Sequence, residues 1–245
     1  MKGRWNAILI MIGLALTLFQ ACGNLACFQV HGPITQWTYH IADFSKIRVY
    51  NSPQIYITQG DSQSVVVESE ENMFHALQFH IDPFEERLFI DFDETCIDDI
   101  DHFKIFITLD TLKEIDLRGG GEVWVQDTMI TESLNLLVSG SADINFDLLD
   151  ANMVTTDISG SGNVRLIGSD TAQSHKIKVS GLGSVFSFEM PCRSVDIEVS
   201  GGALIQTSVQ DSLNVKITGT CDVYYKGYPS INEDITGNGQ VISAN

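Results

Sequence analysis

The sequence predicts an all-β protein built around a parallel β-helix with about 18–21 residues per coil. Three observations support this fold class: a glycine motif that repeats seven times, apolar alternation before each repeat, and 20 glycines against only 5 prolines. The net charge of −18, from 14 Lys and Arg against 32 Asp and Glu, excludes an unaided nucleic-acid binder and a polybasic membrane patch.

The N-terminus has the pattern of an export signal over residues 1–21. Lys2 and Arg4 precede an almost unbroken apolar run at 7–19, and the small residue Ala21 follows at the expected cleavage point. A spanning helix needs about 20 apolar residues, so this run is too short to cross a bilayer comfortably. We therefore expect residues 1–21 to be removed as a signal peptide.

Residues 19–23 resemble a bacterial lipobox, in which the cysteine after the cut is acylated. The segment predicts Cys22 as the lipidation site and residues 22–36 as the linker of the lipid anchor, which would make the membrane a partner. The two residues before Ala21 differ from the commonest lipobox. The alternatives are acylation at Cys27, or a plain secretory peptide in which Cys22 is an ordinary thiol.

Four further cysteines follow Cys22 in a compartment where disulfides are stable. Cys27, Cys96, Cys192 and Cys221 allow three pairings, and the sequence does not choose among them or exclude free thiols. None of them has C-x-x-C spacing, so the sequence gives no support for zinc binding or thiol redox chemistry.

The repeated motif reads apolar, Ser/Thr or Arg, Gly, x, small, x, apolar. Its key glycines are spaced by 21, 20, 21, 20, 18 and 18 residues. They are predicted to be structural corners, where the chain needs positive φ or a close approach of two backbones. The seven glycines are Gly119, Gly140, Gly160, Gly181, Gly201, Gly219 and Gly237.

Each motif follows a short segment in which apolar and polar residues alternate, as in 195–199 and 213–217. This period of two predicts strands. A unit of about 20 residues is too small for a propeller blade and lacks the leucine-rich pattern, so one coil of a parallel β-helix is the matching unit.

Stacked coils should also align the polar residue before each motif. In stack order these residues are Asp116, Leu137, Asp157, Lys178, Glu198, Lys216 and Asp234. From Asp157 onward the charge alternates in sign at every step. We interpret this series as a register-setting ladder on a solvated face, because neighbouring opposite charges stabilise strand pairing modestly.

Residues 37–116 are also strand-rich, with one short helical segment expected over 70–77. The pattern here is Phe44-x-x-Ile47-x-Val49, then Ile55-x-Ile57-x-Gln59-Gly60-Asp61, followed by the glycine-corner coils. Together, residues 37–245 resemble the head GIN domain family of adhesin-like proteins from Bacteroidetes-type bacteria. The resemblance implies a right-handed parallel β-helix on an exported, often lipidated protein. Its two parts would be 37–116 and the regular coils 117–245.

The acidic residues and histidines of the sequence do not form a recognisable catalytic or metal-binding pattern. The acidic run from Asp91 to His102 fails as a calcium-binding EF-hand, because Cys96 stands at the glycine position and His102 at the bidentate glutamate position. A solvated loop is the favoured interpretation, and calcium binding stays open. Scattered histidines and nearly constant coil lengths leave no active-site loop, so no catalytic residue, metal or cofactor is predicted.

The sequence therefore predicts a non-catalytic cell-envelope lipoprotein of the outer membrane or periplasm, whose β-helical surface binds glycan or protein. Tyr224, Tyr225 and Tyr228 are candidate ligand contacts, although a cap over the open end of the helix is the favoured interpretation for them. The alternatives are a self-associating envelope scaffold and, third, a polysaccharide-active enzyme. Ligand identity, membrane leaflet and oligomeric state remain open.

Overall fold

A computed structural model describes residues 27–93, 96–98, 100 and 102–245 of this chain. The predicted signal peptide 1–21 and the lipidation site Cys22 lie outside the described residues. Strands make up 70% of the structure, and the all-β parallel β-helix is confirmed as a β-solenoid of about six turns. The short helix expected over 70–77 is a 3-10 helix at Glu71–His75. Among the described residues, no helix is long and apolar enough to span a bilayer.

Nineteen strands run through the described chain. Those before the regular coils are β1 Phe28–Gln29, β2 Ile34–Tyr39, β3 Lys46–Val49, β4 Gln54–Gln59, β5 Ser64–Glu70, β6 Leu77–Asp82, β7 Arg87–Phe92, β8 Ile97–Asp98 and β9 Phe103–Leu109. The others are β10 Glu114–Leu117, β11 Glu122–Val138, β12 Asp143–Ile158, β13 Asn163–Ile167, β14 Ala172–Val179, β15 Leu182–Val199, β16 Gly202–Ile217, β17 Thr220–Lys226, β18 Ser230–Ile235 and β19 Asn238–Ser243.

The described residues form two units. The first contains 27–30 with 96–98 and 100, where β1 pairs in parallel with β8 and a disulfide joins Cys27 to Cys96. The sequence left the cysteine pairing open, and the structure pairs Cys27 with Cys96. The thiol of Cys27, the alternative lipidation site, is therefore part of a disulfide. In the second unit Cys192 and Cys221 are buried free thiols. Burial raises the pKa of each to about 12, so neither is a reactive thiolate at neutral pH.

The second unit is the solenoid. Segments that precede the glycine corners, such as 133–138, stack into one face, here called the pre-glycine face, and segments that follow the corners, such as 122–125, stack into the post-glycine face. From β10 to β19 all pairings are parallel, and the long strands β11, β12, β15 and β16 each contribute a segment to both faces. Inward-facing Val, Ile and Leu side chains form continuous columns, such as Val185, Ile205 and Val223, each at most 1% exposed.

The N-terminal part of the solenoid departs from the order of the chain. The coil formed by β3 and β4 lies between the coil of β7 and β9 and the coil of β10 and β11. Beyond β7 and β9 the pairing becomes antiparallel, with β6 against β7, and with β5 against β9 and β2. The sequence predicted strands here but neither their antiparallel pairing nor their place in the stack.

The seven corner glycines form one column at the bend between the two faces. A Cβ placed on Gly201 would fall well within 3.0 Å of the carbonyl oxygens of Gly181 and Ser180 in the coil below. None of the seven has positive φ, which among the described glycines is confined to Gly32, Gly121 and Gly227. Close backbone approach, rather than left-handed geometry, therefore requires glycine at these corners.

Candidate functional site

The most distinctive surface is an outward column of side chains on the post-glycine face, here called the aromatic column. Each member is the first residue after a glycine motif or its counterpart in an N-terminal coil, and neighbours are in strand register. In stack order they are Phe106, Tyr56, Trp124, Asn145, Arg165, Phe186, Gln206, Tyr224 and Ile242. Successive side chains in a strand point to opposite sides. The residues before and after each member of the column occupy inward positions, so the members themselves point outward.

Aromatic rings lie near both ends of this column. Tyr56 and Phe106 stack with ring centroids 5.2 Å apart and planes 16° apart, and Trp124 on the next coil is 37% exposed. Phe186 and Tyr224 follow further along the stack, separated by Gln206. Rings at regular strand spacing keep part of their apolar surface accessible to solvent, and aromatic side chains of this kind can stack on planar or cyclic ligands.

Polar groups flank the rings. Asn145 Nδ2 donates to Glu122 Oε1 at 3.2 Å, and Asn163 Nδ2 donates to Asp143 Oδ1 at 2.9 Å across successive coils. These contacts hold amides and carboxylates in fixed orientations beside the aromatic column. The surface thus combines apolar rings with positioned donors and acceptors, the two kinds of group that polyhydroxylated ligands need.

The column passes an irregularity in β15. Ser187 pairs with Thr207, but the next residue of β16, Ser208, pairs with Pro191, so Phe188, Glu189 and Met190 form a bulge. A depression of about 130 Å³ opens beside the bulge. Its lining residues are Arg165, Leu166, Phe186, Phe188, Glu189 and Gln206. The coil that ends at Gly201 has 20 residues against 18 in the next coil, and the bulge lies in this longer coil; bulges commonly re-aim side chains at functional sites.

One cation, Arg165, lines this depression, and a second, Lys226, contacts the lining residue Phe188. Arg165 Nη2 lies 3.5 Å from Glu189 Oε1, with both side chains more than half exposed. Lys226 Nζ lies 4.6 Å from the centre of the Phe188 ring, a cation–π distance. The sequence analysis did not select the residues around this depression. Arg165, Phe186 and Gln206 could have been found, because each directly follows a glycine motif and so occupies the same outward position in its coil.

The three tyrosines singled out from the sequence have different positions. Tyr224 belongs to the aromatic column, whereas Tyr225 occupies an inward position next to Thr207, and Tyr228 is 91% exposed after β17. The cap interpretation is wrong for Tyr224 and Tyr225, because β19 stacks over them through Ile242 and Ser243. They lie in the last coil but one rather than at the end of the stack.

The pre-glycine face carries the predicted charge ladder, and its register is confirmed. Asp157 pairs with Lys178, Lys178 with Glu198, Glu198 with Lys216, and Lys216 with Asp234. These pairs are not among the ion pairs within 4.0 Å that the described residues form. From Asp157 to Asp234 the ladder is therefore a register-matched surface rather than a set of tight contacts. The solvated interpretation is wrong for Asp116, which is 3% exposed and lies 2.5 Å from Nε of its register partner Arg48.

The remaining residues considered for metal binding or catalysis do not form a site among the described residues. Among the described residues, no three His, Cys, Asp or Glu side chains are grouped to hold a metal ion. The acidic run is only partly covered, since Glu94, Asp99 and Asp101 lie outside the described residues. His175 is fully buried, contacts Thr156 Oγ1 at 3.0 Å, and has its pKa lowered to about 3 by desolvation. A neutral core histidine of this kind is not positioned for catalysis.

Solved structures share this fold. An adhesin described as putative from Bacteroides fragilis NCTC 9343 superposes with a TM-score of 0.83 at 23% identity, covering 88% of this chain and 99% of its own. Another such adhesin, from Parabacteroides merdae ATCC 43184, gives 0.71 at 20% identity over 89% and 98% of the two chains. A "putative lipid binding protein" from Parabacteroides distasonis ATCC 8503 gives 0.74 at 19% over 89% and 99%.

A comparison with curated proteins finds no match to this sequence. A protein family does match residues 43–229, which include all the strands from β3 to β17 and six of the seven corner glycines. The match extends over most of the chain and agrees with the resemblance noted from the sequence. The chain belongs to the family described as "Putative auto-transporter adhesin, head GIN domain".

Proposed function

We propose that this protein is an exported, non-catalytic, lipid-anchored protein of the cell envelope that binds glycan along its post-glycine face. The observation that carries the proposal is the aromatic column, in which five partly or fully solvent-accessible rings lie in strand register with two amides and one guanidinium group. The family description as an adhesin supports a surface-binding role. The ligand would bind along the stack, because the column runs across successive coils rather than into a closed cavity.

The binding proposal is tested with soluble residues 23–245 on immobilised envelope and host polysaccharides. We expect retention of the protein without release of new sugar ends. Trp124→Ala and Phe186→Ala should each weaken retention about five- to tenfold, since an aromatic stacking contact contributes about 1 kcal/mol. Phe84→Ala is the matched control, because Phe84 is 98% exposed and lies outside the aromatic column. Release of sugar ends would overturn the non-catalytic proposal.

The anchoring proposal assigns cleavage after Ala21 and acylation of Cys22. In cells fed a labelled fatty acid, the protein should incorporate label, and Cys22→Ser should abolish it. Cys27→Ser is the matched control, because it removes the Cys27–Cys96 disulfide but leaves Cys22 intact. Label that persists in Cys22→Ser and disappears in Cys27→Ser would transfer the anchor to the second cysteine.

A further inference from the structure

β15 loses register with both of its neighbours beside the aromatic column, whereas the shift after Trp124 in β11 is found on one side, against β12. On one side, Arg165 pairs with Phe186 but Ile167 pairs with Glu189; on the other, the register jumps from Ser187 to Pro191. Both irregularities fall within residues 187–191, where Phe188 and Glu189 line the depression of about 130 Å³ and Met190 is buried. A local break on both sides of one strand is a built feature of the face, not a property of the repeat.

The depression offers a stacking surface and a hydrogen-bonding group. Phe186 and Phe188 both contribute to its lining, and each remains partly accessible to solvent. Gln206, the next member of the aromatic column, adds an amide that can donate and accept. Rings beside an amide suit a pyranose, which has an apolar C–H face and hydroxyl groups at its rim.

Positive charge at this place is the third feature, and it stands out in a chain with 14 Lys and Arg against 32 Asp and Glu. Arg165 presents a planar fork that matches a carboxylate, and its contact with Glu189 is 3.5 Å long and solvent-exposed. Such a pair contributes little, so a ligand carboxylate can replace Glu189. Lys226 takes part in none of the ion pairs found within the described ranges and lies over Phe188.

From these contacts we propose that the depression binds a carboxylated sugar, such as a uronic acid residue within a longer glycan. The sugar ring stacks on Phe186 and Phe188, while its carboxylate binds Arg165 and Lys226. This inference rests on the proposed glycan-binding function and names the ligand class of one subsite.

The test compares a short oligogalacturonate with the same oligosaccharide after methyl esterification of its carboxylates. Isothermal titration of soluble residues 23–245 should show about tenfold tighter binding of the acid, since a charge-assisted hydrogen bond contributes about 1.5 kcal/mol or more. Arg165→Gln and Lys226→Gln should each remove most of this preference while leaving affinity for the ester unchanged. Lys216→Gln, on the pre-glycine face, is the matched control and should leave the preference intact.

A gain of affinity provides the sharpest readout. Glu189→Gln removes the carboxylate that competes for Arg165, so the acid should bind about threefold tighter, with no change for the ester. A role of Glu189 in folding alone would not produce this selective gain. Circular dichroism on each variant verifies that the β-solenoid is intact.

The outcomes separate the two proposals. Equal affinity for acid and ester, or a preference that survives both Arg165→Gln and Lys226→Gln, overturns the carboxylate subsite but leaves glycan binding standing if Phe186→Ala still weakens it. If neither oligosaccharide binds and none of the polysaccharides retains the protein, the subsite and the proposed function both fail. Selective loss in the two cation variants supports both.

Discussion

The regular coils and the N-terminal part of the solenoid bury similar side chains but specify their strand pairing in different ways. In the regular coils a strand pairs with the strand one coil further along, as Glu198 does with Lys216. In the N-terminal part, Lys46 pairs with Arg87 on one side and with Glu114 on the other, across intervening hairpins. The comparison teaches that a periodic sequence pattern arises only where the chain advances by one coil at a time.

The largest expected effect comes from a corner glycine in the regular coils. Gly201→Ala would drive a methyl group into the backbone carbonyls of Gly181 and Ser180, which cannot move without separating two coils. We expect a loss of at least about 4 kcal/mol in the free energy of unfolding, or failure to fold. Urea denaturation followed by circular dichroism measures the change.

The adjacent glycine provides the control for this prediction. A Cβ on Gly202 would contact only the Cδ2 atom of the exposed Leu182 side chain, and the nearest backbone atom is 4.0 Å away. Gly202→Ala should therefore change stability by less than about 1 kcal/mol. Equal losses in the two variants would contradict close approach as the reason for glycine at the corner.

Sequence reasoning succeeded in the regular coils for a physical reason. Each coil imposes the same requirements on its neighbour: no Cβ at the corner, apolar residues inward, and compatible charges at the same outward position. Gly181, Val185 and Lys178 each satisfy one of these requirements; glycine and Val or Ile recur in every coil, and from Asp157 onward the third position keeps a charge opposite to that of its neighbours. A local rule repeated seven times can be recognised in a single sequence.

The remainder could not be predicted because it depends on contacts distant in sequence. The corner at 50–53 has no glycine, so nothing in the repeat pattern places β3 and β4 between two later coils. The bulge at Phe188 was visible only as a small change in coil length, which gives no direction for the displaced side chains. The tyrosine cap failed because Tyr225 occupies an inward position that β19 covers.

In the N-terminal part, a buried ion pair joins β7 to β10. Arg87 Nη2 lies 2.6 Å from Glu114 Oε1, and both residues are buried. Glu114→Ala would leave the guanidinium without its buried partner, at a cost of about 3 kcal/mol in unfolding free energy. Glu85→Ala is the control, since Glu85 contacts the same arginine but is half exposed, and it should cost less than about 1 kcal/mol. Similar losses in both variants would show that burial of the pair is unimportant.

His175, a buried residue of the regular coils, is expected to make the free energy of unfolding depend on pH. Its pKa is lowered to about 3 in the folded state by desolvation, against about 6.5 unfolded. Between these values only the unfolded chain binds the proton, so stability falls as pH decreases below 6.5, by about 2 kcal/mol at pH 5. His175→Leu should remove this part of the pH dependence in urea titrations at pH 7 and pH 5. The exposed His40→Gln variant should retain it, and an unchanged slope in His175→Leu would assign the effect to other groups.

The smallest effect is expected from the charge ladder. Lys178→Glu would place three acids in succession on the pre-glycine face, between Asp157 and Glu198. Like charges on neighbouring strands destabilise pairing, and we expect a loss of about 1 kcal/mol in low salt that shrinks in 1 M salt because exposed charges are screened. Lys178→Gln removes attraction without adding repulsion, so it should cost about half as much. A loss independent of salt would mean that the lysine contributes through packing of its aliphatic stem, and the alternation of charge would then not set the register.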